Sequence, residues 1–312
     1  MATVDEGSGG LHGVNESISH YLDSYSDSSF GKLVLLVPSV LVLLLLLLVP
    51  TLLILRMSVN VFQGGNVLAA EFTLANYPRV LTDSYYQSII LRSLKVAVVV
   101  TVVDFALGFP LAYAAVRGGR LLGGAIVVAT LAPLSIDLIV RTYGWYVLLG
   151  QGGLVPNVLV AIGPWTAQNP PKLLFNEMGI MLGLIHVLLP FMVFPIMNVM
   201  HTIPYSYEEA ARNLGANRFG VFYRVLLPLA LPGIAAGTLI VFTNSMAAYV
   251  TPAILGGGTK TLAVIITETF QSSANWPLGS TLAIVLVVLA LVVIGLYQRV
   301  LTQLEGSLGR GS

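Results

Sequence analysis

A run of apolar residues near the start of the chain sets the strongest limit on its fold. From Leu33 to Leu55, between Lys32 and Arg56, there is no charged side chain. A helix of about 20 such residues crosses the ~30 Å hydrocarbon core of a bilayer. Only 9% of the 312 residues are charged, whereas a soluble domain has about 25%. The sequence therefore predicts an integral membrane protein and excludes a soluble enzyme, a disordered chain and a nucleic-acid-binding protein.

Further apolar stretches of membrane-spanning length follow along the chain. We expect spans at about 96–116, at 121–140, within 178–207, within 224–260 and at 281–298. In lipid, only helices and closed barrels satisfy their own backbone hydrogen bonds. These stretches lack the alternation that barrel strands require. The predicted fold class is therefore all-α, with six transmembrane helices.

Six spans place both termini on one side of the membrane. With the termini inside, Lys and Arg divide eight to seven between the inner and outer sides, and the turn at 117–120 and the loop at 208–224 hold five of the inner eight. Short cytoplasmic loops are enriched in these residues, so cytoplasmic termini are favoured. Residues 1–31 lack the order of a signal peptide and are expected to form an uncleaved cytoplasmic tail. Residues 32–302 would form the membrane domain and 303–312 a second cytoplasmic tail.

One polar loop carries the most specific pattern in the chain, E-A-A-x3-G-x9-[aliphatic]-x-L-P. It begins Glu208-Glu209-Ala210-Ala211-Arg212-Asn213-Leu214-Gly215 and ends Val225-Leu226-Leu227-Pro228. We expect a short helix that begins near Ser206, a suitable N-cap, with two carboxylates in its first turn. Ala210 and Ala211 would form a small flat face that can enter a groove. Gly215 suits a helix end at which the chain turns.

This loop resembles the EAA loop of the membrane-spanning subunits of bacterial ABC importers. The chain departs from the family pattern at Val225, where isoleucine is usual. The resemblance implies that the loop docks into a separate ATP-hydrolysing subunit. The implied coupling residues are Glu208, Glu209, Ala210, Ala211, Arg212 and Gly215. The alternative is an amphipathic interfacial helix without a partner.

A second set of motifs narrows the resemblance to the first permease subunit of spermidine/putrescine-type importers, in the polyamine/opine/phosphonate group. The similarity covers roughly residues 70–298 and rests on Ala132-Pro133-Leu134, Arg141-Thr142-Tyr143-Gly144-Trp145, Pro190-Phe191, Thr251-Pro252, Leu255-Gly256-Gly257 and Asn275-Trp276-Pro277. It implies five core helices preceded by an extra N-terminal helix. Polyamine members often carry a glutamate where this chain has Ala247-Ala248-Tyr249, which weakens the case for a polycation substrate.

The resemblance also implies partners. They are a second homologous permease, two ATPase subunits that bind ATP and Mg, an outer solute-binding protein and the lipid of the bacterial inner membrane. The chain itself is expected to hold no cofactor or metal and to bind no nucleic acid. Its glycine-rich segment 256–261 lacks phosphate-loop spacing, which argues against a nucleotide site. It would carry a small polar organic solute inward by alternating access. The alternative is a self-contained secondary transporter or channel, but the 208–228 pattern has no second copy, as an internal repeat would give.

Polar residues within the apolar spans are candidates for the substrate path, because buried ionisable groups in membranes are costly. Asp104 would hydrogen-bond a neighbouring helix or line the path. Asp137 and Arg141 lie four residues apart, so they would share a helix face and pair with each other, or contact substrate at an outer gate. The remaining candidates are Tyr143, which also suits an interfacial aromatic belt, Asn244 and Tyr249.

Overall fold

The computed structural model describes residues 29–64, 71–166 and 168–308. Within these ranges the regular structure is helical, and strand-like pairing is limited to two isolated bridges. Five of the described helices are long and apolar enough to cross a membrane, or six if one bent pair counts as a single span. The predicted all-α membrane fold is confirmed. Residues 1–28 of the tail predicted at 1–31 lie outside the described residues.

Residues 1–56 and 57–312 form two separate units. In the first, helix α1 (Ser29–Ser58) contains the uncharged run. Arg56 lies in its last turn, where a positive charge interacts favourably with the helix dipole. Its apolar side chains are exposed around the whole circumference between Leu36 and Leu53. A helix that is apolar on all sides requires lipid or another protein around it.

Twelve further helices follow in the described part of the second unit. They are α2 (Asn76–Thr82), α3 (Ser84–Arg117), α4 (Gly119–Leu131), α5 (Leu138–Leu149), α6 (Leu154–Ile162), α7 (Glu177–Thr202), α8 (Ser206–Asn213), α9 (Arg218–Leu229), α10 (Leu231–Ala247), α11 (Val250–Leu255), α12 (Leu262–Gln271) and α13 (Trp276–Leu308). Helix α13 continues through the boundary expected at 302/303, and the division into tails and membrane domain stays a prediction.

Helices α3, α7 and α10 pack on one another and form the core of this unit. Small residues let them approach closely, as is common between membrane helices. A Cβ added to Gly108 or to Gly237 would lie 2.8 or 2.9 Å from the side chain of Met192. A Cβ added to Gly233 would lie 2.7 Å from the backbone oxygen of Pro195. The three helices therefore pack closely, α10 reaches the backbone of α7, and no space is left for larger residues at these positions.

The prediction of a single spanning helix at 121–140 is wrong. Helix α4 ends at Leu131, a 3-10 turn covers Ala132–Ser135, and Ile136 is extended. The side chain of Asp137 then caps α5 by accepting hydrogen bonds from the backbone N–H groups of Ile139 (2.8 Å) and Val140 (3.4 Å). A stretch of spanning length lies instead at Leu138–Ile162. The break interrupts the apolar stretch at only one charged residue, Asp137. A proline-containing turn and a single capping side chain are enough to end one helix and begin the next.

The fifth span is bent rather than straight. Helices α9 and α10 meet at an angle of 71°, and residues Phe222–Leu226 within α9 form a π turn. Pro228 follows two residues after this turn, and proline both lacks an N–H donor and clashes with the carbonyl one turn earlier. Such prolines and π turns are the usual causes of sharp helix bends. The straight helix beyond the bend therefore begins at Leu231.

Gly233→Val should destabilise the helix core by about 1–3 kcal/mol, because the added atoms meet the backbone of α7. The measurement is the thermal midpoint of the purified protein in detergent. Gly295→Val is the matched control, since a Cβ there has no neighbour within 4 Å. Equal loss in both variants would show that the backbone contact at Gly233 is not what limits stability.

Candidate functional site

Helix α8 divides the predicted coupling residues between two sides. Glu208 is fully buried and Ala211 packs against the core, whereas Glu209, Ala210 and Arg212 are exposed. The expectation that Ala210 and Ala211 share one flat docking face is therefore wrong. Neighbouring residues on a helix point about 100° apart, so one of the two alanines faces the protein when the other faces outward.

The buried carboxylate of Glu208 joins α8 to the last turns of α3. It accepts hydrogen bonds from Nε of Arg117 at 2.8 Å and from the hydroxyl of Tyr113 at 3.1 Å. Nη2 of Arg212 lies 3.5 Å from its second oxygen. A buried charge is tolerated only when it is paired and hydrogen-bonded. Because Glu208 has these partners, its position fixes α8 against α3.

Tyr205 supports the same network from the start of α8. The guanidinium groups of Arg117 and Arg212 lie 5.5 and 5.8 Å from the centre of its ring, at cation–π distance. Arg212 also donates a hydrogen bond to the Tyr205 hydroxyl at 3.1 Å, which raises the pKa of the guanidinium. Tyr205 occupies the N-cap position and its side chain makes no cap hydrogen bond. The assignment of Ser206 as the cap is therefore wrong, although the helix does begin at that residue.

Gly215 ends α8 as the sequence predicted. Its φ angle is +85°, in the left-handed region that favours glycine. Its N–H donates to the oxygen of Arg212 at 2.9 Å, and the N–H of Ala216 donates to that of Ala211 at 3.0 Å. These two bonds define a Schellman turn. A Cβ at Gly215 would have no neighbour within 4 Å, so the requirement for glycine lies in the backbone alone.

Large apolar side chains are exposed beside the polar residues of this loop. Leu214 is 89% exposed and Phe219 is 76% exposed. A cavity of about 760 Å³ lies behind them, lined by residues of α3, α8 and α9 that include Tyr113, Arg212 and Phe222. Exposed apolar side chains rimmed by polar residues are typical of a protein-docking surface. We call the exposed face formed by Glu209, Ala210, Arg212, Leu214 and Phe219 the docking face.

Asp104 lies inside the packed core rather than on an open path. Its side chain is fully buried in α3, and neither carboxyl oxygen has a hydrogen-bond partner among the described residues. The hydrogen bond to a neighbouring helix that the sequence suggested is therefore absent. One turn further along α3, Gly108 lies directly against Met192 of α7. The helices approach at this level through apolar contacts, and a role in transport stays a prediction for Asp104.

Asp137 and Arg141 do not form the pair expected from their spacing. The ion pairs found among the described residues do not include them. Asp137 is held over the first N–H groups of α5, since capping those groups satisfies donors that the helix leaves free. Nε and Nη1 of Arg141 are buried and have no hydrogen-bond partner in the described part of the chain.

The remaining path candidates lie at the surface. Tyr143 is exposed and its ring lies 6.2 Å from that of Tyr146. Asn244 is exposed and donates to the backbone oxygen of Ile240 in its own helix at 2.8 Å. Tyr249, which follows α10, is also exposed. The structure does not gather these residues into one site, and their roles stay predictions.

Sequence reasoning missed an ion-pair cluster at the opposite end of α3. Glu177, the first residue of α7, accepts from Nε of Arg92 at 3.2 Å and from Nζ of Lys95 at 2.7 Å. Arg92 also donates to the backbone oxygen of Lys260 at 3.1 Å. The partners are more than 80 residues apart, so no local spacing could indicate them.

These features define a class of protein: a membrane transport subunit whose helical core is joined to a polar docking loop. The chain belongs to the family described as "Binding-protein-dependent transport system inner membrane component", whose model it matches over residues 28–304. It is thus an inner-membrane permease subunit of a binding-protein-dependent ABC importer, and it works with other transporter subunits. The resemblance of the 206–228 loop to ABC importer permeases is confirmed.

Relatives agree with this family. The chain is 34% identical over 253 residues to the spermidine/putrescine transport system permease protein PotB of Haemophilus influenzae, covering 80% of this chain and 87% of the relative. It is 29% identical over 259 residues to PotB of Escherichia coli (strain K12), covering 82% and 93%. Its fold is similar to a chain of the bacterial alginate ABC transporter, crystallised with a periplasmic protein that binds an alginate pentasaccharide. That match has a TM-score of 0.65 and 16% identity, and covers 85% of this chain and 92% of that one.

Removing the Glu208 carboxylate should destabilise the protein far more than removing its neighbour. Glu208→Ala leaves Arg117 without its carboxylate, and breaking a buried pair on one side costs about 3–5 kcal/mol. Glu209→Ala removes an exposed side chain and should change stability by less than about 0.5 kcal/mol. The thermal midpoints of the two variants in detergent test this difference. Similar midpoints would mean that the Glu208 network does not hold α8.

Gly215→Val should loosen the last turn of α8, because a left-handed backbone costs a side-chain-bearing residue about 1–2 kcal/mol. Amide hydrogen exchange in residues 206–216 should rise by about 5- to 30-fold, the factor to which that energy corresponds. Gly119→Val is the control, since Gly119 has a φ of +84° and equally empty surroundings but lies at the start of α4, outside the loop. Unchanged exchange in Gly215→Val would show that the turn tolerates the substitution.

Proposed function

We propose that this chain pairs with a second, homologous permease to form the translocation path. The complete importer contains two ATPase subunits, one of which binds at the docking face of this chain, and an outer solute-binding protein delivers the solute on the other side. Both termini lie in the cytoplasm, which the distribution of Lys and Arg in the short loops supports. ATP and Mg bind to the ATPase subunits, and this chain supplies neither a nucleotide site nor a cofactor.

The two-sided arrangement of α8 carries this proposal. The docking face offers small, polar and apolar groups to a partner, whereas Glu208 on the other side is bonded to α3 through Arg117. A displacement of the docking face by the ATPase therefore moves α3 as well. Helix α3 packs against α7 and α10, so the core moves with it. Interiors packed at this density transmit displacement rather than absorb it.

The bend between α9 and α10 suits the same mechanism. The loop leads into the core helix through a π turn and two prolines, Pro228 and Pro232, at an angle of 71°. Such a joint redirects movement along the docking surface into movement of the membrane helix. We infer alternating access, in which ATPase closure rearranges the rigid core between an outward-open and an inward-open state.

The cargo is a small polar organic solute. The names of the relatives support a polyamine-like solute, because two of them are spermidine/putrescine permeases. The residues before α11 support an opine-like or related solute instead, because Ala247 and Ala248 stand where polyamine members often have an acid. A self-contained transporter or channel, the sequence-based alternative, is disfavoured by membership of a binding-protein-dependent family.

Substitutions on the docking face should release the ATPase or separate ATP hydrolysis from transport. Leu214→Ser and Glu209→Lys change exposed side chains and leave the helix core untouched. Uptake and binding-protein-stimulated ATPase activity should each fall by at least tenfold, with ATPase co-purification measured on the same preparations. Leu121→Ser is the matched control, since Leu121 is 90% exposed and lies outside the loop. Wild-type values for all three measurements in Leu214→Ser and Glu209→Lys would refute the proposed coupling surface.

A further inference from the structure

Arg141 and His186 form a pair of basic side chains between α5 and α7. The ring of His186 lies 5.6 Å from that of Trp145, in an edge-to-face contact across the two helices. Arg141 lies one turn before Trp145 in α5, and residues four apart share a helix face. Arg141 and His186 also interact electrostatically. The two side chains therefore face the same small region between the helices.

Neither side chain has a partner for its buried polar atoms within the described ranges. Nε and Nη1 of Arg141 and Nδ1 of His186 are inaccessible to solvent and make no hydrogen bond there. The acid whose spacing suits a pair with Arg141, Asp137, is engaged elsewhere. Asp137 caps its own helix, and the remaining paired acids of the described chain are Glu177 with Arg92 and Lys95, Glu208 with Arg117 and Arg212, and Glu268 with Lys260.

The apolar surroundings make this lack of a partner costly. Leu138, one turn before Arg141, and Ile185, the neighbour of His186, both pack against the main hydrophobic core. Ala248, at the end of α10, packs on the same core and adds no charge. A buried cation without a counter-charge is unstable, and the penalty is removed when an anion enters with good hydrogen-bond geometry. Other atoms of Arg141 and His186 are exposed, since both residues are only partly buried overall. A local separation of α5 from α7 would open the buried nitrogen atoms to a ligand.

The hydrogen-bond donors of Arg141 and His186 determine which kind of anion can bind between them. A guanidinium presents a planar fork of donors that matches the two oxygens of a carboxylate. A neutral histidine can place its ring proton on Nδ1 and add a third donor beside that fork. An ammonium group, by contrast, would be repelled by Arg141 and could not bond to it.

The geometry points to Arg141 and His186 as a subsite that binds a carboxylate group of the transported solute. This inference rests on the proposed importer function and narrows its substrate class to carboxylate-bearing solutes. A diamine or a longer polyamine lacks the group that the subsite binds.

The test is ATP-driven uptake by the complete importer, with its own binding protein, in proteoliposomes. The probes are pairs with the same number of carbon atoms in which a carboxylate replaces a terminal aminomethyl group, such as 4-aminobutanoate and 1,4-diaminobutane. The variants are Arg141→Gln, Arg141→Lys and His186→Phe, the last of which keeps an aromatic ring against Trp145. Arg79→Gln is the control, because it removes an exposed guanidinium from α2. Binding-protein-stimulated ATPase activity and co-purification of the second permease are measured on each preparation.

The wild-type importer should transport at least one carboxylate member of the panel in preference to its diamine counterpart. Arg141→Gln should raise the KM for that solute by at least tenfold, Arg141→Lys and His186→Phe by less, and Arg79→Gln not at all. Stimulated ATPase activity and assembly should persist in every variant, so that loss of the subsite is distinguishable from loss of the importer. Uptake of diamines alone, or of no carboxylate member, would overturn the inference. Loss of the second permease from Arg141→Gln would also overturn it, because Arg141 would then pair with an acid of that subunit.

Discussion

The ion pair between Glu208 and Arg117 is the interaction on which the proposed mechanism depends. A carboxylate with no exposed surface is stable only because Arg117 and Tyr113 bond to it. Both partners belong to α3, the helix at the centre of the membrane core. The same bonds that satisfy the charge therefore fix the docking loop to the part of the protein that must move. A loop joined to the core only through its backbone would bend when the ATPase pushes on it.

The close packing of the core helices suits the proposed movement of the docking loop. Glycines at positions 108, 233 and 237 let α3, α7 and α10 pack closely, with α10 reaching the backbone of α7, which leaves these helices little freedom to slide independently. The helices are interrupted beside this block at the Asp137 cap and at the bend before α10. Rigid helices joined at defined breaks are what alternating access requires. Proline and capping residues place those breaks in segments that composition alone treats as continuous.

Uncompensated polar groups mark the rest of the membrane region. Among the described residues, Asp104 is buried in the core without a hydrogen bond, and Arg141 and His186 have buried nitrogen atoms in the same condition. The two cases differ in enclosure, since the whole Asp104 side chain is buried and the two basic side chains are only partly buried. A local movement of α5 would therefore open the basic pair to a ligand, whereas Asp104 would become accessible only after the core helices separate.

The sequence by itself determined the membrane class, the helical fold and the short helix of the loop that we propose as the coupling element. Each follows from a local property: the uncharged run at 33–55 has to cross lipid, and the spacing from Glu209 to Gly215 fits one short helix with a left-handed end. Only the tertiary structure decided which side of that helix is buried, which break divides residues 121–140, and which charges are paired. Glu208 pairs with Arg117, which lies 91 residues away in the sequence. Asp137 accepts hydrogen bonds from backbone N–H groups of α5 instead of pairing with Arg141. These outcomes depend on which helices pack together, and no local sequence pattern indicates that packing.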